Sequence, residues 1–142
     1  ALGSAWAGWL QAHSSDWNAV AELPRVKAII QRVLELDETM NNGDAQLYMA
    51  VMESFLPPAM GGKPDVAQRH FERAIEISQG TNLMAKLLYA EKYARLVFDQ
   101  ELHDRLLKEV IDAPVEKNES TLINSIAQYK AKILLAESGD YF

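Results

Sequence analysis

An all-α fold, a tetratricopeptide-like array of antiparallel helix pairs forming an α-solenoid, is what this sequence predicts, and three observations carry it. Apolar residues recur at helical spacing in segment after segment, while the β-branched alternation of a strand is missing. The prolines fall between those segments. The helices also echo one another: "RVLELD" at 32–37 matches "RAIEIS" at 73–78, 41 residues on, and "EVIDAP" at 109–114 follows after a further 36. Periods of this size mark arrays of helix pairs.

Taken in order, about seven helices account for the chain as one domain over 1–142. The first, "SAWAGWLQAH", carries Trp6 and Trp9, and Ser14-Ser15-Asp16 then reads as a cap before the next start. Residues 26–36 place Val26, Ile29, Ile30, Val33 and Leu34 on one stripe. Asn42 or Gly43 caps the next helix ahead of Asp44, and "AQLYMAVMESFL" (45–56) is apolar nearly all round, as expected of a helix sandwiched between neighbours. After Pro64 the stripe is Ala67, Phe71, Ala74 and Ile75, closed by Gly80 just past the helix. "LMAKLLYAEKYARLVF" (83–98) is again apolar all round. Leu102, Leu106, Leu107, Val110 and Ile111 form a stripe stopped at Ala113-Pro114. The last helix runs from about Asn118 or Ser120, with Leu122, Ile123, Ile126, Ala127, Ile133 and Leu134 on one side.

The stretch "FLPPAMGGKPDVAQRHFERAIEI" (55–77) raises a chemical question, because a glycine-rich turn before a helix is a common phosphate cradle. A P-loop needs glycine five residues before its Gly-Lys pair and Ser or Thr after the lysine; those positions hold Pro57 and Pro64. Pro64 lacks an N–H, and Asp65 puts a negative charge where an anion would dock. Pro58, Gly61, Gly62 and Pro64 therefore read as a structural loop inserted between the two helices of a pair, lengthening the repeat beyond the usual ~34 residues. Ala67-x3-Phe71-x2-Ala74 is the small, large, small pattern of a second tetratricopeptide helix.

Composition narrows the function classes. With 49% hydrophobic and 24% charged residues the chain is an ordinary globular sequence, and no apolar run approaches the ~18 residues of a membrane span. Twenty acidic against 14 basic side chains give a net charge of -6, with Lys and Arg scattered singly, so no nucleic-acid partner is expected. Cysteine is absent, which excludes disulfides, thiolate metal sites and cysteine nucleophiles. The start at Ala1, without a secretory signal, reads as the C-terminal part of a longer exported protein whose signal or anchor lies upstream.

Catalytic chemistry finds no foothold in the pattern. His13, His70 and His103 form no metal-ligand spacing. Asp99 and His103, four apart, are spaced to share a metal, but with no third ligand at helical spacing they read as a solvated surface pair. Asp65 with Arg69, Glu91 with Arg95 and Asp104 with Lys108 read as helix-surface ion pairs. No cofactor, metal or catalytic residue is expected. The candidate binding residues are those on the first helices of the pairs, which line the concave side of such an array: Trp6, Trp9, Tyr48, Met49, Met52, Tyr89, Tyr93, Asn124 and Gln128. The aromatics serve either as core or as pocket lining. Asn124 and Gln128 serve either as polar anchors or as partners for neighbouring backbone carbonyls.

Over nearly its whole length the chain resembles the T-component (TatT) proteins of TRAP-type transporters. The resemblance rests on "SSDWNAVAELPRV" with "LELD", "PPAMGGKPDVAQRHFERAIE", "NLMAKLLYAEKYARLVFD" with "LLKEVIDAP", and "LINSIAQYKAKILL". It carries over Trp17, Leu23-Pro24, Gly61-Gly62, Phe71, Ala74, Asn124, Ala127 and Gln128. It implies a periplasmic, lipid-anchored, non-enzymatic helical protein that forms homo-oligomers and works beside the solute-binding P-component on organic acids. The family's further helical region and export signal, ahead of the tryptophan-rich helix, are not in this sequence. The leading expectation is thus a binding and scaffold component of a TRAP-type organic-acid transport system; the second is a general tetratricopeptide-type peptide-binding adaptor.

Overall fold

A computed structural model describes Ala5, Asn18 and residues 21–39, 43–55, 58–114 and 121–142. The described elements are helical throughout, with no strand among them. They are α1 (Leu23–Asp37), α2 (Asp44–Glu53), α3 (Pro64–Ile77), α4 (Leu83–Leu88), α5 (Gln100–Asp112), α6 (Thr121–Ala136) and α7 (Ser138–Tyr141). The order and most boundaries match the sequence stripes, and the packing is compatible with a tetratricopeptide-like array. The expected first helix, with Trp6 and Trp9, and the expected cap at Asn42 lie outside the described residues.

Helix ends follow local chemistry. Pro24 and Pro64 sit in the first turns of α1 and α3, where a missing N–H costs nothing. The Asn82 side chain accepts from Ala85 N at the start of α4, and Asp99 accepts from Leu102 N at the start of α5. Asp99 is therefore a cap rather than half of a surface pair. Gly43 enters α2 with φ +88°, and a Cβ there would come within 3.2 Å of Ile77 Cγ2, so glycine is required both by the backbone and by the approach of α3. In the 58–64 loop the left-handed residue is Gly61, at φ +93°, a conformation that glycine adopts without strain. The loop is tied across the hairpin by Lys63 N–H donating to Glu53 O at 3.0 Å, which spends one of the donors a phosphate would need.

Two apolar clusters meet at α2. Val26 and Ile30 of α1 pack with Ala45, Met49 and Met52, while Leu47, Ala50 and Val51 on the other face join Phe71, Leu87, Leu107 and Ala127. That double engagement explains why α2 is apolar all round. Phe71, Ala74, Ile30 and Leu106 are all buried, as the stripes predict.

The 83–98 segment departs from a single helix. After Leu88 it widens into a π-helical turn over Tyr89–Ala94, then breaks at Phe98, whose φ is +56°. The last long helix departs further. Its buried face is Asn124, Ala127 and Ala131, whereas Leu122, Ile123, Ile126 and Ile133 of the expected stripe are exposed. Small residues let α6 lie close against α4 and α5, so the large apolar ones turn outward.

Candidate functional site

The sequence-predicted binding residues do not gather at one point. Tyr89 and Tyr93 come together on the π-helical turn, with ring centroids 5.4 Å apart, and Phe71 stacks on Tyr89 at 5.3 Å. Both phenols donate to side chains of α3: Tyr89 Oη to Glu72 Oε1 and Tyr93 Oη to Gln68 Oε1, each at 3.1 Å. Burial, opposed by the Gln68 hydrogen bond and aided by the Glu72 charge, pushes the Tyr89 phenol up to about 12. Burial, reinforced by Asp65 and Asp99, raises Tyr93 as well. Both remain hydroxyl donors at neutral pH. Tyr48 is half-buried and Met52 buried in the α1–α2 cluster, some way along the array. Trp6, Trp9 and Trp17 lie outside the described residues.

Asn124 and Gln128, one turn apart on α6, reach different neighbours. Asn124 accepts from Leu83 N at 3.3 Å and donates to Thr81 O at 3.1 Å, bridging the loop into α4. Gln128 Nε2 donates to Ala113 O at 2.8 Å and Val110 O at 3.1 Å, the free carbonyls at the end of α5. Together they lock α6 onto the start of α4 and the end of α5.

Polar side chains missed by reading one helix at a time build a relay across α1, α2 and α3. Gln46 donates through Nε2 to Glu38 at 2.9 Å, so its Oε1 faces His70 Nδ1 at 2.5 Å and the imidazole donates there. Arg73 closes the relay by pairing with Glu38, whose carboxyl is held below the usual range by that hydrogen bond and by Gln46. Burial pulls His70 below its ordinary value, against the opposing pull of Glu53. Glu53 itself is buried; Lys27 holds one oxygen at 3.0 Å, and the other has no hydrogen-bond partner among the described residues. A residue spacing of 24 between Gln46 and His70 leaves no periodic signal to find.

His103 corrects another expectation. It is fully buried, not part of a solvated pair with Asp99. Arg95 Nε donates to its Nε2 at 3.2 Å, so Nδ1 carries the proton and donates to Asp104 at 2.9 Å. Ser138 also donates to Asp104, pinning α7 to α5, and Tyr141 lies 4.5 Å under the guanidinium of Arg95, which follows the π-helical turn. Burial raises Asp104, but the Ser138 and His103 hydrogen bonds prevail and hold it low. Arg95 is thus occupied elsewhere than with Glu91, which pairs with Lys92, and Arg69 bonds the Asp65 carbonyl rather than its carboxylate. Among the described residues no group of three or more acidic or histidine side chains could hold a metal.

The model of one protein family, described as the TRAP transporter T-component, matches residues 1–142. The chain belongs to that family. No curated protein matches it. Membership makes the chain a transport accessory component of a membrane transporter rather than a member of an enzyme family, and associates it with the other TRAP components. Of the described residues that carried the resemblance, Phe71 and Ala74 are buried core, Ala127 is the small contact under α6, and Asn124 and Gln128 are its clamps. No described helix is long and apolar enough to cross a membrane.

Proposed function

We propose that this T-component is the non-enzymatic binding and scaffold part of a TRAP-type organic-acid transport system and that it contacts the periplasmic solute-binding P-component. The single observation behind this reading is the family match along the whole chain. On this reading the protein is periplasmic, held to the membrane by a lipid anchor upstream of residue 1, and self-associates around its transport partners. The tetratricopeptide-like surface provides the docking sites, and a small organic acid is passed between components at its concave side. The sequence pattern assigns Trp6, Trp9, Tyr48, Met52, Tyr89 and Tyr93 to that side, with buried Met52 and Tyr89 supporting the surface from beneath, and Asn124 and Gln128 fix the helix that borders it. Association then depends on shape and a few anchors, with no bond made or broken.

The test is capture of the neighbouring solute-binding subunit by the exported full-length protein. A complex with a Kd in the micromolar range or tighter supports the reading. Failure to capture that subunit, together with tight binding of cytosolic peptides, replaces it with a general peptide adaptor.

A further inference from the structure

The last long helix carries a surface that none of the other described residues covers. Leu122, Ile126, Tyr129 and Ile133 are 70%, 41%, 69% and 43% exposed. Their spacing of four, three and four residues is that of a coiled-coil seam, with Ile126 and Ile133 at a positions and Leu122 and Tyr129 at d. A helix face turned to water is ordinarily polar. In α6 the arrangement is inverted: small and amide side chains face the body, and the large apolar ones face out.

Charge identifies what fits against it. Lys130 and Lys132 are the only charged residues in Thr121–Ala136, both exposed, on a chain whose net charge is -6. In the heptad frame they fall at e and g, the flanks that set partner choice. A second copy of α6 would bring Lys130 and Lys132 to those flanks with Ile123 and Ser125 and no acidic side chain, whereas an acidic helix would neutralise the lysines. We propose that the outward face of α6 docks an amphipathic helix with acidic flanks, Leu122, Ile126, Tyr129 and Ile133 filling the seam and Lys130 and Lys132 setting its charge preference. The Asn124 and Gln128 clamps hold this face in place before the partner arrives, which lowers the ordering cost of binding. The inference goes beyond the reading above and holds whichever component supplies the helix.

Two synthetic helical peptides of about three heptads, with leucine at a and d and either glutamate or lysine at e and g, test it against the full chain by fluorescence anisotropy. The glutamate peptide should bind with a micromolar Kd and the lysine peptide at least about tenfold more weakly. Ile126→Lys and Tyr129→Glu should each weaken the glutamate peptide about 30-fold while leaving the circular dichroism melt unchanged, because both positions are exposed. The double change Lys130→Glu with Lys132→Glu should reverse the preference. No binding of the glutamate peptide, equal binding of the two peptides, or binding that survives Ile126→Lys overturns the proposal. So does self-association by sedimentation that Ile126→Lys abolishes, which would make a second copy the occupant.

Discussion

Helices α2 and α6 are both rich in apolar residues, and they end in opposite situations. α2 buries eight of its ten residues, because one face meets α1 and the other meets the cluster around Phe71. α6 buries a strip of Asn124, Ala127 and Ala131 and leaves its bulkiest side chains in water. Hydrophobic content was the same kind of signal in both. What separates them is position: α2 has neighbours on two sides, whereas α6 leans on the body with one. Apolar surface with no neighbour is a binding resource, and apolar surface with two is stability.

That contrast can be broken most decisively by truncating one residue from each class. Phe71→Ala removes a fully buried ring from the cluster shared with α2 and should cost about 3 to 5 kcal/mol in denaturant unfolding. Tyr129→Ser on α6 should stay within about 0.5 kcal/mol of wild type, since a side chain 69% exposed has little burial to lose. Similar losses at both positions would mean that the α6 face is covered in solution and that the comparison is wrong.

How much of this could be read beforehand depended on whether the signal was local. Helix identity and order were legible because stripes and proline stops are written within a few residues of each other, whereas the Asn82 cap went unread and Asp99, also a cap, was read as half of a surface pair. The Phe71 and Ala74 pattern placed the core correctly for the same reason. Side-chain partners far apart in sequence were not legible: His70 with Gln46, Arg95 with His103 and Tyr141, and Asn124 with Thr81 and Leu83 depend on how helices meet. The α6 stripe shows the ambiguity directly. Its 122-to-134 arc spans both the buried edge at Ala127 and the outward seam at Ile126, and periodicity cannot say which side a neighbour will take.

A smaller effect sharpens the α6 side of the comparison. Asn124→Ala leaves the buried Leu83 N–H without its side-chain acceptor and removes the bond to the C=O of exposed Thr81, and should cost about 1 to 3 kcal/mol. The loss should be accompanied by weaker docking on the outward face, although Asn124 itself points inward. Stability changing while docking stays intact would show that the seam does not need the clamp.

The smallest expected effect concerns the α2 side and is read through pH. His70 packs between α2 and α3 and donates to Gln46, with Glu53 and Arg69 as the charged groups acting on it. Burial lowers its folded pKa below the ordinary 6.5, so the folded protein takes up this proton less readily than the unfolded chain. Stability from the neutral imidazole is therefore fully present above about 6.5 and declines as pH falls through the lowered folded value, before most carboxylates titrate. His70→Gln retains an amide able to bond Gln46 and removes the titration. Its unfolding free energy should fall less steeply than wild type between about pH 6.5 and 5. Parallel slopes for the two proteins over that interval would show that protonation of His70 does not govern how tightly α2 is held.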